Sequence, residues 1–256
     1  MKNIGVFWWK DKVNFGDILS RDIISHFNFQ VFHKNLNELS EKSACCIGSI
    51  LNWVPETFEG YILGSGIMRP VDTQFSKAKI IGLRGEMTRQ VIKADKNIVL
   101  GDPGLLSYIL WDKPIEKKFV LGLIPHFEHQ NDSIIKDLLD RYPDDILLID
   151  VMREPIEVLR DITKCTVIMS SSLHGIVVAD AFGIPCGWFR LEHVAGGGLF
   201  KFQDYGTAID DQLTPLRLTS HTTLSQLIVH ARPTPEKVEE VKFNLSAMFK
   251  RIYFEI

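Results

Sequence analysis

Cysteine is scarce in this sequence, and the little there is cannot cross-link or hold zinc in an ordinary way. Four occur in 256 residues, Cys45, Cys46, Cys165 and Cys186, all in apolar stretches and none in a C-x-x-C pair. That excludes a disulfide framework and a structural zinc site, and predicts four reduced core thiols. Positive charge is not in surplus either. Lys and Arg number 29 against 32 Asp and Glu, a net charge of -3, so no whole-molecule field draws nucleic acid. No apolar run approaches the roughly 20 residues that span a bilayer. The apolar start at residues 4–9 is broken by Lys10, Asp11 and Lys12 and is too short for a secretory core. The chain is therefore expected to be cytoplasmic, with peripheral contact at the inner face of the membrane left open. Also missing are a Walker A loop, a His-Glu-x-x-His pair, a nucleophile elbow, a repeat of fixed period and any low-complexity tract.

The remaining composition, 45% hydrophobic and 24% charged, is that of an ordinary globular enzyme. Short β-rich runs recur at residues 4–9, 44–50, 61–63, 79–83 and 98–100, and again at 119–124, 146–151, 167–169 and 186–189. Some end at a Gly or Ser, and helical patterns near 133–141, 155–164 and 173–182 alternate with the later ones. That alternation predicts βαβ units, parallel sheets and an α/β class. A polar stretch at 112–118 has the composition of a linker. It divides the chain into two α/β lobes, 1–112 and 113–233. The last segment, 234–256, aligns Val238, Val241, Leu245, Met248, Phe249 and Ile252 on one helical face, which predicts a helix packed on a lobe.

In open α/β sheets ligands gather beyond the carboxyl ends of strands, where helix N-termini present unpaired N–H groups. After the run at 167–169 stand Ser170, Ser171 and Ser172, then Leu173, His174 and Gly175, so hydroxyls, an imidazole and a helix N-terminus converge on one spot suited to an anion. A capping serine beside a core histidine is the plain alternative. Asn14-Phe15-Gly16-Asp17 follows the first run, with Asp17 either a helix cap or a ligand for sugar hydroxyls. Gly64-Ser65-Gly66 lets backbone approach a ligand but lacks the third glycine of a dinucleotide fingerprint, because Arg69 stands there. Arg84 and Arg89 flank a strand-to-helix passage and suit bidentate anion contacts, or else are surface charges. Gly101-Asp102-Pro103 closes a strand. Pro125-His126 opens the second lobe, and its His126-x-x-His129 spacing lacks the helix and third partner a metal needs. Gly196-Gly197-Gly198 precedes Lys201, pairing a loop with a cation.

Taken in order, Asn14-Phe15-Gly16-Asp17, Gly64-Ser65-Gly66, Arg84-Gly85 with Thr88-Arg89, Gly101-Asp102-Pro103, Pro125-His126 and Ser171-Ser172-Leu173-His174-Gly175 resemble the polysaccharide pyruvyltransferase family, nearest to its exopolysaccharide ketal-pyruvate transferases. The resemblance implies a GT-B-like pair of Rossmann-like lobes with the active-site cleft between them. It implies phosphoenolpyruvate as donor substrate, no cofactor and no metal, and a sugar or lipid-linked oligosaccharide of an exopolysaccharide or capsule as acceptor. The product would be a pyruvate ketal plus phosphate. On this reading His174 is the acid or base. Arg84, Arg89, His126, Ser171, Ser172, Leu173, Gly175 and Lys201 face the donor, and Asn14, Gly16, Asp17 and Ser65 face the acceptor. Many relatives carry Arg two residues before the motif histidine, where this chain has Ser172. Two other readings stand beside it, a glycosyltransferase of similar architecture that takes a nucleotide sugar, with Glu192 its acidic candidate, and a non-catalytic saccharide-binding relative.

Overall fold

A computed structural model of the chain describes residues 1–10, 14–113, 115–192 and 198–256. Its strands form two sheets in which every pairing between strands is parallel. Parallel sheets are covered on both faces, which is why the sequence shows continuous apolar runs instead of alternation. The first sheet holds β1 (Lys2–Phe7), β2 (Phe29–His33), β3 (Ser43–Cys45), β4 (Tyr61–Leu63), β5 (Lys79–Leu83) and β6 (Val99–Leu100), in the order β2-β1-β3-β4-β5-β6. The second holds β7 (Phe119–Ile124), β8 (Ile146–Leu148), β9 (Cys165–Ser170), β10 (Cys186–Arg190) and β11 (Pro215–Arg217), in the order β11-β10-β9-β7-β8.

Both orders reverse direction. From β1 the chain goes to β2 on one side and then to β3 on the other; from β7 it goes to β8 and then back to β9. The crevice at such a reversal is where α/β sheets bind ligands. The elements that open from these crevices are α1 (Phe15–His26), which follows β1, and α5 (Leu173–Ala181), which follows β9.

The sheets share a core. One apolar cluster joins Ile4, Val6, Phe15 and Leu19 of the first lobe to Ile124, Leu173, Ile176 and Val177 of the second. The segment after β6 is largely responsible. Pro103–Leu110 is a 3-10 helix, capped by the Asp102 side chain, with Leu105 and Leu106 fully buried. It packs against α1, α5 and the last helix, α8 (Lys237–Glu255). Its apolar residues therefore serve both lobes, although the sheet-to-sheet passage at 112–118 is polar as expected; Pro114 lies outside the described residues. Helix α8 buries all six residues of its expected face and lies over β5, β6 and the 3-10 segment, so the chain ends on the first lobe. Gly101 permits this with φ at +151°, and a Cβ there would sit 2.4 Å from Val241 Cγ1.

The lobes are tied a second time by α6 (Phe200–Ala208), which leaves the second sheet and packs on α2 (Glu86–Val91) of the first. The expected strand at 44–50 stops at Cys45, because Gly48, at φ +104°, turns the chain toward the crevice. Among the described residues no helix is long and apolar enough to cross a membrane.

Candidate active site

Asn14 ends the crossing after β1 in extended backbone, and its Oδ1 accepts the N–H of Gly16 at 3.1 Å, starting α1. At Gly16 the two lobes meet in close contact. A Cβ on it would lie 1.8 Å from His174 Nδ1, so only glycine lets the imidazole rest on this turn of α1. The His174 ring stands edge-on to Phe15, with centroids 6.4 Å apart. Asp17 occupies the third helical position, from which a carboxylate often folds back on the cap residue's N–H. Here Asn14 supplies the cap, and Asp17 accepts no hydrogen bond among the described residues. Its Oδ1 instead faces the Gly48 turn, where a Cβ would come within 3.2 Å.

From the other side, Ser170 Oγ accepts the N–H of Ser172 at 3.0 Å and lies 2.7 Å and 3.1 Å from the carbonyls of Ser172 and Ile124. Ser171 Oγ accepts the His126 N–H at 2.8 Å. Two serines thus fasten the ends of β7 and β9 to each other. The third, Ser172, takes the N-cap position of α5 without making a side-chain cap bond, so its hydroxyl is left to the pocket. All nine residues of α5 are buried, fixing His174 from behind.

These turns enclose a pocket of about 380 Å³. Trp9, Asn14, Asp17, Ser49 and Met68 line it from the first lobe, and His126, Phe127, Ser172, Leu173, His174 and Lys201 from the second. Its charges are strongly perturbed. Burial pushes the Asp17 carboxyl up to about 7, with the Lys201 charge opposing and Asp102 adding to the rise. Burial brings Lys201 down to about 8, helped by the Arg84 charge, while Asp17 and Glu128 oppose. Burial, with the charges of Lys201, Arg84 and His126, lowers His174 to about 3. At neutral pH the imidazole is therefore uncharged, Lys201 is mostly an ammonium, and Asp17 is divided between acid and carboxylate. Behind Asp17, burial lifts Asp102 to about 6; its Oδ1 accepts Gly104 N–H at 2.8 Å and its Oδ2 is buried with no hydrogen bond.

Of the residues singled out in the sequence, Asn14, Asp17, His126, Ser172, Leu173, His174 and Lys201 come together here. Gly16 supports His174 from α1. Ser171 and Gly175 belong to the wall. Ser171 opens, with Lys201, on a small cavity beside the pocket, and a Cβ on Gly175 would strike Ser170 Oγ at 2.3 Å. Ser65 is buried and donates to the Cys46 carbonyl at 2.8 Å, which holds the β3 turn rather than an acceptor.

The two arginines do not take the positions expected of them. Arg84 is fully buried. Its Nε donates to Asp204 at 2.8 Å, one terminal nitrogen donates to Ile67 O at 2.7 Å, and the other to Ser49 Oγ. Gly66 makes the room, since a Cβ there would lie 2.4 Å from Arg84 Cζ. Arg84 therefore acts on the pocket through its charge and through Ser49, without lining it. Arg89 lies further along α2, where it pairs with Glu86 at 2.5 Å and donates to Ala94 O at 3.0 Å, away from the pocket. Glu192 is exposed and paired with Arg217 at 2.5 Å beyond β10. Gly196 and Gly197 lie outside the described residues.

Ser49 and Met68 were not anticipated: Ser49 follows the Gly48 turn, so position alone marked it, and Met68 carried no signal. Trp9 and Phe127, which also line the pocket, each follow a strand end. Among the described residues no group of three His, Cys, Asp or Glu is placed to hold a metal ion.

Residues 49–193 match the family model described as polysaccharide pyruvyl transferase. The succinoglycan biosynthesis protein ExoV of Rhizobium meliloti is 26% identical over 194 residues, covering 73% of this chain and 60% of that protein. An uncharacterized protein of Acanthamoeba polyphaga mimivirus is 33% identical over 158 residues, covering 56% of this chain and 53% of its own length. The chain thus spans between half and two thirds of the length of these curated relatives. A crystal structure of a functionally uncharacterized Klebsiella pneumoniae protein aligns with 82% of this chain and 88% of its own, at a TM-score of 0.47 and 12% identity, a likeness too loose to carry an argument.

Proposed function

Since the chain belongs to the polysaccharide pyruvyl transferase family, we propose that it transfers the enolpyruvyl group of phosphoenolpyruvate to two hydroxyls of a sugar in a polysaccharide repeat unit. The repeat unit is lipid-linked, and the products are a cyclic pyruvate ketal and phosphate. A relative named for succinoglycan biosynthesis supports the polysaccharide context.

The observation that carries the reading is the pairing, in one pocket, of a neutral imidazole with an ammonium and an uncapped helix N-terminus. Ketal formation needs charge compensation for a donor phosphate and carboxylate, and a base for the attacking hydroxyl. Lys201, Ser172 and the first turn of α5 supply the former, and Arg84 adds its charge from behind the wall. His174, uncharged and held between Gly16 and α5, supplies the latter; a positioned base of this kind contributes about 10²–10⁴-fold. Asn14 and Trp9 offer an amide and an aromatic face for the sugar.

Thermal shift provides the first test. Phosphoenolpyruvate at 100 times its Kd stabilises the folded state by about 2.7 kcal/mol. Phosphate release from phosphoenolpyruvate in the presence of lipid-linked saccharides is the second. Stabilisation by UDP- or GDP-sugars and none by phosphoenolpyruvate would overturn the proposal in favour of nucleotide-sugar transfer.

A further inference from the structure

The proposed reaction requires a proton on the methylene carbon of the donor, and the pocket offers four groups that can carry one: Lys201, His174, His126 and Asp17. His126 is engaged by Glu128, whose carboxylate lies 3.5 Å from its Nδ1. Lys201 is needed as an ammonium against the donor's charge. His174 is uncharged in the free protein and has no proton to give, and a donor's negative charge beside it raises its capacity to accept one. Asp17 is the remaining acid and the only carboxyl among the described residues lining the pocket. It is turned away from the one structural task its helical position offers, since Asn14 caps α1 and Asp17 accepts no hydrogen bond among the described residues. The Gly48 turn on one side and the Gly16–His174 contact on the other hold α1, and hence the carboxyl, against the pocket.

We propose that Asp17 is the acid that protonates the methylene carbon, with His174 receiving the proton of the first attacking hydroxyl. This rests on the phosphoenolpyruvate reading above. In the balanced sequence the Asp17 carboxyl gives its proton to the methylene carbon, whose π electrons form the new C–H bond and leave an oxocarbenium-like centre. The first sugar hydroxyl adds to that centre and loses its proton to His174. The C–O bond to phosphate breaks with its electron pair on the phosphate, which takes the proton from His174. The second hydroxyl closes the ketal, and its proton restores the Asp17 carboxyl. Two hydroxyl protons thus end on the methyl group and the phosphate, with Asp17 and His174 unchanged.

The surroundings suit an acid held neutral. Asp17 faces Lys201 from α6, His174 from α5 and His126 from the turn after β7, with Asp102 behind it and Arg84 beyond. Burial and Asp102 favour its protonated form, whereas Lys201 opposes it. A donor with several negative charges would tip the balance further toward the acid.

The test is a count of protons taken up when phosphoenolpyruvate binds, by calorimetry at pH 7, where Lys201 is already mostly an ammonium, in two buffers of different ionisation enthalpy, for wild type, Asp17→Asn and His174→Asn. The expected result is fractional uptake by the wild type and by His174→Asn, with only the small remainder due to Lys201 in Asp17→Asn, which still binds the donor. Phosphate release by Asp17→Asn should fall about 10²–10⁴-fold. Uptake unchanged in Asp17→Asn and lost in His174→Asn, or wild-type phosphate release by Asp17→Asn, overturns the assignment. A wild type that binds no phosphoenolpyruvate fails the donor reading itself, before Asp17 is at issue, and removes both.

Discussion

Removing the carboxylate of Asp204 should be among the most damaging single changes in this protein, although the residue touches no part of the pocket surface. Asp204 and Arg84 are each fully buried, and their side chains meet at 2.8 Å. Asp204 also accepts the N–H and the hydroxyl of Thr88, both at 2.7 Å. Asp204→Ala leaves a guanidinium without its counter-charge in the core, at about 3–5 kcal/mol. It also strands the Thr88 N–H, for roughly 1–3 kcal/mol more. At 256 residues, each kcal/mol is worth about 2–4 °C in Tm, so the variant should melt roughly 10–30 °C below wild type by calorimetry. Because Lys201 lies one turn earlier on α6, phosphate release should fall as well. The compensated pair Arg84→Met with Asp204→Leu removes both charges and should recover most of the lost stability. A single variant within 1 kcal/mol of wild type, or a double variant no better than the single, would refute the account of Arg84 as a buried strut.

Three further changes probe other parts of the structure. Gly16→Ala places a methyl where the His174 imidazole now lies; displacement of the ring by about 1 Å should cost roughly 10²-fold in kcat, with thermal shift by phosphoenolpyruvate retained. Asp17→Asn should stabilise the protein above pH 7 and not near pH 4. The folded carboxyl titrates at about 7 against 3.8 ordinarily, so stability falls as pH rises across that window, by up to about 4 kcal/mol at ~1.4 kcal/mol per unit. Urea melts of both proteins at pH 4.5 and 8 measure the difference. Arg232→Ala unpairs the fully buried Asp180, which Arg232 holds at 2.7 Å and 2.9 Å and Tyr205 at 2.8 Å; the expected loss is about 3–5 kcal/mol, measured by the same melts.

Much of this was legible because β7, β9 and α5 have strong local signals: apolar runs that end in Pro-His and in serines, then an apolar helix. The edge strands β2 and β11 were not, since Phe29–His33 and Pro215–Arg217 mix polar residues with apolar ones and read as loop. The 3-10 segment Pro103–Leu110 was taken into a domain end because the Gly-Asp-Pro-Gly opening masks an apolar run whose burial depends on both lobes at once. The arginines failed for a related reason. Arg84 looks like an anion ligand until its partner is known, and that partner stands 120 residues later. Asp17 was read as an acceptor ligand or a cap because nothing local reveals that Asn14 takes the cap or that Lys201 and Asp102 bracket the carboxyl.

The interlocking of the two lobes accounts for the strength of the pKa perturbations. Separate lobes joined by a flexible linker would leave Asp17 and His174 in water whenever the cleft opened, and neither would depart far from its ordinary value. Here Phe15 N–H donates to Val151 O at 2.9 Å, one apolar cluster runs through both sheets, and α6 and α8 each return to the first lobe. The crevice at the β1/β3 reversal is thereby held against that at β7/β9. Desolvation, the first cause of the shifts at Asp17, Lys201 and His174 alike, is a standing property of the fold. Groups held in such a setting need little reorganisation as charge moves. Ser172, buried at the N-cap of α5 with no side-chain cap bond, brings its hydroxyl into the same desolvated setting.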